Sequence, residues 1–124
     1  MIRLPKIRSK AIRRLPSEMD ECELKIGSFV GIPCSSNETL VLAHNPWNPL
    51  KGQATKGCDV SGIISCASCH DILDGRNKVA DQIKEHNAVE FFVQIMRAEH
   101  LTRARMIDAG LIVVPDGEIV GKGF

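Results

Sequence analysis

The chain contains no tyrosine, and only 4% of its 124 residues are aromatic. A core built with so few large rings is thin, and small domains in that position often lean on a bound metal. There is no run of 18 apolar residues and no apolar segment behind the basic start. The sequence therefore reads as having neither a membrane span nor a secretory signal. That reading places the protein in a reducing cytoplasm, where cysteines more often bind metal than pair with each other. Acid is missing from one stretch in particular. Residues 1–16 carry Arg3, Lys6, Arg8, Lys10, Arg13 and Arg14 with no Asp or Glu. Of 16 basic and 15 acidic residues, 10 and 15 remain for the rest, a balance of −5. A cationic arm on a mildly acidic body suits phosphate contact, and a solvated, solubilising N-terminus is the plainer alternative.

What is present is ordinary for a globular domain: 44% hydrophobic and 25% charged residues. The length suits one domain with a modest core. We divide the chain into the arm, 1–16, and a single α+β domain, 17–124. After a short helical turn, Leu24, Ile26, Phe29 and Ile32 alternate with polar residues and glycines, as in a hairpin. Thr39 to His44 reads as a strand, and "VSGIIS", residues 60–65, as a second. Between them runs a long polar loop bearing prolines, the kind of connection that tends to carry function. Helical segments are expected from Asp71 to about Asp74-Gly75, over Lys78–Glu85, and from Asn87 onward. Asn87 is placed to cap that last, long helix with Glu90 as its capping-box partner, and Gly110 ends it. Val89, Phe92, Val93 and Met96 supply the expected buried stripe. "LIVVPDGEIVGKGF" reads as a terminal hairpin turning at Pro115-Asp116-Gly117.

The string "CASCHDILDGR", Cys66 to Arg76, has three chemical meanings. Cys-x-x-Cys-His attaches a c-type haem, supplies half of a structural zinc site, or opens the metal-bearing helix of a small nuclease. Haem attachment fits poorly with a cytoplasmic chain in which nothing marks an axial ligand. For zinc, Cys66 and Cys69 form one two-thiolate bite, and Cys22 and Cys34, flanking the expected first hairpin, close the tetrahedron. Such closure would be worth about 10–16 kcal/mol. Free buried thiols, or a site with fewer cysteines, are the alternatives. Cys58, in the long loop, is left as a spare thiol.

His70 follows the Cys66–Cys69 knuckle directly, and Asp74 lies four residues on, on the same helical face. That pair is a half-shell for a second, catalytic divalent ion, Mg²⁺, Mn²⁺ or Zn²⁺, with positions left for water. His44 closes the first strand, where an imidazole near neutrality can take a proton from water. Asp59 is placed to hold the other ring nitrogen and fix its tautomer. Lys51, Lys56 and Arg76 are candidates to grip a nucleic-acid backbone. Each also has a duller reading, as a helix-start, surface or dipole-favouring residue, and His86 and His100 are read that way outright.

A strand ending in histidine, a loop, a second strand, then Cys-x-x-Cys-His opening a helix resembles the HNH, or ββα-metal, endonuclease motif. "NETLVLAH", the aspartate of "KGCDV", "CASCHDILDGR" and "RARMIDAGLIVV" resemble more closely the YbcO-like family of small prophage-encoded nucleases, over roughly residues 21–114. The resemblance implies a ββα-metal fold with a structural zinc and hydrolysis of DNA phosphodiesters with a divalent ion. It also implies a role in phage recombination or DNA processing, with a phage or host recombination protein as a partner. His44 matches the general base, His70 the metal-binding histidine of the helix, and Asp59 stands near the middle-asparagine position. Ala43 stands where many HNH proteins carry an acid or second histidine. The competing expectation is a zinc-stabilised DNA-binding or recombination-accessory module without catalysis, which would have no use for His44. The sequence sets no oligomeric state.

Overall fold

The computed structural model describes residues 5–46 and 57–121. The Lys51 and Lys56 expected to touch nucleic acid lie outside the described residues. The fold is α+β. A short helix α1 (Lys10–Arg14) precedes an antiparallel pair, β1 (Val41–Ala43) and β2 (Ile63–Ser65), in register Val41↔Ser65, Leu42↔Ile64 and Ala43↔Ile63. Helix α2 (Ala67–Leu73) follows β2 after one residue, and α3 (Val79–Asp108) packs against β2. Short 3-10 turns occupy Leu15–Glu18, Ile26–Val30, Asn37–Thr39 and Asp59–Ser61.

Both strands are only three residues long, so their stability comes from what covers them. Ile63 and Ile64 are fully buried. The Ile64 backbone turns away from β1: its N–H donates to Thr102 Oγ1 on α3 (3.0 Å), and its C=O accepts from the Glu23 and Leu24 amides (2.9 and 3.3 Å). Thr102 is itself fully buried. One buried hydroxyl thus docks the long helix on the sheet edge.

Helix α3 breaks its φ/ψ pattern at Asn87 (φ −138°, ψ 37°), the residue from which the long helix was expected to start. It ends as expected: Gly110 has φ +74°, its amide donates to the Ile107 carbonyl, and the Leu111 amide donates to Met106 (2.8 Å). That is the Schellman closure, in which a left-handed glycine lets the chain turn back. The buried face, however, is not the expected one. Phe91, Ile95, Ala98, Thr102 and Met106 are buried, whereas Val89, Phe92, Val93 and Met96 are exposed at 74, 36, 56 and 67%. Both sets repeat at three- and four-residue spacing. The buried one continues for four turns, while the other runs into Arg97, His100 and Arg103.

Both expected hairpins are also corrected. Residues 26–30 form a 3-10 turn entered through Lys25 (φ 51°) and left through Gly31 (φ 71°). It closes on the Ile32 amide, which donates to the Gly27 carbonyl (2.9 Å), and a Cβ on Gly27 would meet the Ile32 carbonyl oxygen at 2.5 Å. The C-terminal turn exists, with Asp116 at φ 60° and Gly117 donating to Val114 (2.9 Å). Its arms do not pair: residues 111–121 contain no strand, and Val113, Val114, Ile119 and Val120 stay exposed. With no sheet beneath it, a hairpin with arms this short buries too little to form.

The register of α3 has a direct consequence. Phe91→Ala should cost about 3–5 kcal/mol in denaturant unfolding, as for other buried aromatic truncations. Thr102→Val, which orphans the Ile64 amide, should cost about 1–3 kcal/mol.

Candidate functional site

Cys22, Cys34, Cys66 and Cys69 bring their sulfurs within 4.8 Å of one another. Cys22, Cys66 and Cys69 are buried, Cys34 is exposed, and no disulfide joins them. The failed first hairpin does not matter to this outcome, because the Gly27–Ile32 turn folds the chain back in its place. Four ligands about 2.3 Å from a tetrahedral ion stand about 3.8 Å apart, and Cys34 and Cys69 Sγ are separated by 4.0 Å. Backbone amides point at the sulfurs: Cys66 N–H at Cys22 (3.4 Å), Ser35 at Cys66 (3.4 Å) and Cys69 at Cys66 (3.5 Å). These donors favour thiolates. The donor set and spacing fit a metal of the zinc type, held by all four.

The cluster also explains why α2 begins where it does. Its first amides have no intrahelical partners. Ala67 donates to Thr39 Oγ1 (3.0 Å), Ser68 to Ser35 Oγ (3.0 Å) and Cys69 to the N-cap Cys66 sulfur. The four thiols differ in acidity. The Cys69 thiol donates to Cys22, holding Cys22 down at about 5 against the pull of burial. The same bond and burial push Cys69 upward. Burial and the neighbouring sulfur charges push Cys34 up to about 12.

Directly after β1, His44 meets Asp59: Nε2 to Oδ1 is 3.3 Å. Asp59 is fully buried, and its other oxygen accepts the Ser9 amide (2.7 Å) and stands 3.4 Å from Arg13 Nε. Further bonds run from the Asp59 amide to the Ile7 carbonyl (2.9 Å) and from the Ile7 amide to Cys58 Sγ (3.2 Å). Residues 5–16, the described part of the basic arm, are therefore docked, with Ile12, Leu15 and Pro16 buried. Lys10, Arg13 and Arg14 line an open recess beside this carboxylate. Gly57 also lies against the imidazole, where a Cβ would come within 2.6 Å of His44 Cδ2. The next residue, Asn45, is tied to α3 through Glu99 (3.3 Å), whose carboxyl burial raises above its usual range.

On α2, His70 Nε2 lies 3.0 Å from Asp74 Oδ2, with both side chains a little over a quarter exposed. Two ligands at right angles about 2.1 Å from an octahedral ion are roughly 3.0 Å apart, so the pair has the right bite. Among the described residues no third His, Cys, Asp or Glu joins it in a cluster of metal ligands. Arg76, expected to clamp phosphate, is engaged by Asp71 (2.9 Å) and Asp74 (3.1 Å). The cationic surface beside Asp59 was not singled out as a site by the sequence reading. Its signal was the apolar spacing of Ile12 and Leu15 within the basic run, which anchors the run on the domain.

Comparison with known proteins agrees with this picture. A family model described as "Putative nuclease YbcO" matches residues 12–108. Curated proteins of that name from Escherichia coli strain K12 and from Enterobacteria phage 82 are each 39% identical over 62 residues, 49% of this chain. The match spans 60% of the length of those relatives. No solved structure matches the chain. Among the described residues no helix is long and apolar enough to cross a membrane.

Metal loading gives a test of the cysteine cluster. At pH 7 Cys22 is already ionised, while Cys34 and Cys69 must each lose a proton, so binding of Zn²⁺ should release at least two. Calorimetry in buffers of different ionisation enthalpy measures that number, and affinity should fall steeply as pH is lowered. Cys58→Ser should leave metal stoichiometry unchanged, whereas Cys66→Ser should abolish tight binding.

Proposed function

The chain belongs to the YbcO family, and on that footing we propose that it is an endonuclease of the HNH type, hydrolysing DNA phosphodiesters with a divalent metal. The observation that carries the reading is the His44–Asp59 pair, held at 3.3 Å on the exit of β1 with β2 and the cysteine-capped α2 following in order. An antiparallel pair leading into a helix, with an imidazole at the first strand's end, is the arrangement expected of a ββα-metal site.

In this reading Zn²⁺ occupies the four cysteines and has a structural role, fixing α2 against the 22–34 segment. His44 takes the proton from the attacking water. Asp59, fully buried and fastened by Ser9 and Arg13, stands 3.3 Å from the ring Nε2, where its charge favours the imidazolium that forms. His70 and Asp74 are the ligands offered to a Mg²⁺, Mn²⁺ or Zn²⁺. When bound, such an ion would supply charge stabilisation to the phosphate and the departing oxygen. Lys10, Arg13 and Arg14 give the backbone a cationic wall that reaches Asp59 through Arg13, and such contacts position a duplex without reading its bases. Arg76, already engaged by Asp71 and Asp74, has less freedom for that task. The phage origin of one relative supports a role in phage DNA processing inside a bacterial host, and in this reading a phage or host recombination protein is the partner.

Nicking of supercoiled plasmid with added divalent metal tests the proposal. His44→Ala should lower the rate by about 10²–10⁴-fold while leaving DNA affinity intact. Gly57→Ala, which drives a methyl into the His44 ring, should reduce nicking without weakening binding. A parent protein that binds DNA yet cuts under no metal would instead support a non-catalytic accessory module.

A further inference from the structure

Arg76 reads in the sequence as a phosphate clamp, yet its guanidinium lies on two carboxylates. The turn after α2 puts it there. Asp74 is the C-cap of that helix, and Gly75, at φ +78°, takes the left-handed conformation that brings the chain back. Arg76 Nε then meets Asp71 Oδ1 at 2.9 Å, and Nη2 meets Asp74 Oδ2 at 3.1 Å. Asp74 Oδ2 is also the atom 3.0 Å from His70 Nε2. The guanidinium therefore occupies one of the two atoms of the His70–Asp74 bite.

A divalent ion held by that bite would share Asp74 Oδ2 with the guanidinium, and like charges so close weaken each other's hold. The arginine is the cation free to leave. Its side chain is 58% exposed, and exposed ion pairs are weak. Asp71 does not join His70 and Asp74 in a ligand cluster, so it can keep the arm in place while Nη2 lets go. A phosphate oxygen is the natural replacement, because the guanidinium fork matches phosphate as it matches a carboxylate. On the footing that His70 and Asp74 are ligands of a divalent ion, we propose that Arg76 is a phosphate-contacting residue released by that ion. Without the ion it neutralises Asp74. With the ion in place it exchanges the Asp74 oxygen for an oxygen of the DNA backbone. Metal and DNA then strengthen each other's binding through this one side chain, a coupling that works equally in both directions.

The test uses the full chain loaded with Zn²⁺, in the His44→Ala background so that DNA stays uncut, with far-UV circular dichroism reporting the fold of each variant. Mn²⁺ binding is read by electron paramagnetic resonance. Arg76→Ala should tighten it about threefold to fivefold, the size of one exposed ion pair, and Asp74→Asn should weaken it. Duplex affinity is then measured with and without Mg²⁺. Arg76→Ala should leave it unchanged without the ion and lower it about tenfold with the ion. A permanent phosphate contact would lose affinity in both conditions, and an ion pair that only braces the end of α2 would lose it in neither. Either result overturns the proposal. Mn²⁺ affinity that falls with Asp74→Asn but ignores Arg76→Ala overturns the proposal alone and leaves the metal ligands standing. Mn²⁺ affinity indifferent to Asp74→Asn removes those ligands, and the proposal with them.

Discussion

Four sulfurs within 4.8 Å are the constraint on which the arrangement of the chain rests. They come from three separated places, Cys22, Cys34 and the Cys66–Cys69 knuckle, and no ladder of backbone bonds does the same work, since each strand has three residues. Cys66 has a double role, as a member of the cluster and as the N-cap of α2. The segment carrying Cys22 continues into the amides of Glu23 and Leu24, which bond to β2. Fixing the sulfurs therefore fixes the start of the helix and one covering of the sheet edge together. Few aromatic residues are available to do this by packing, and the fully buried ring of Phe91 lies on the far helix.

Asp59 is the second junction. A fully buried carboxylate is costly unless satisfied: Oδ2 of this one takes the Ser9 amide and stands by Arg13, while Oδ1 faces His44 Nε2 at 3.3 Å outside hydrogen-bond geometry. The N-terminal segment and the imidazole thus depend on the same side chain. The cationic residues that look in sequence like a free arm are, at Lys10, Arg13 and Arg14, a surface anchored on the domain by Arg13 at Asp59.

The cysteine cluster was legible because thiols in a small, ring-poor chain have few other uses, and the knuckle spacing singles out two of them. Pairing of His44 with Asp59 was legible from their places at the ends of neighbouring strands. The register of α3 was harder. Residues 88–96 are apolar on two sides, and the choice depends on Thr102 reaching the Ile64 amide, a contact 38 residues away in sequence. The two missed hairpins share a cause. Alternation signals a strand only where a partner surface exists: Lys25 and Gly31 bend the first segment into a 3-10 turn instead, and the second keeps its turn at Asp116 without paired arms. Docking of the arm was hidden by its charge, because Ile12 and Leu15 are too few to stand out against six basic residues.

The covered side of β2 has a consequence for how the molecule behaves in company. Ile64 has spent its outward N–H and C=O on Thr102 and on the 22–24 segment, so an incoming extended chain finds no hydrogen-bonding template along that strand. Cross-β growth, the usual hazard of a short sheet in a crowded cell, is blocked at that side by a single threonine hydroxyl and two main-chain amides.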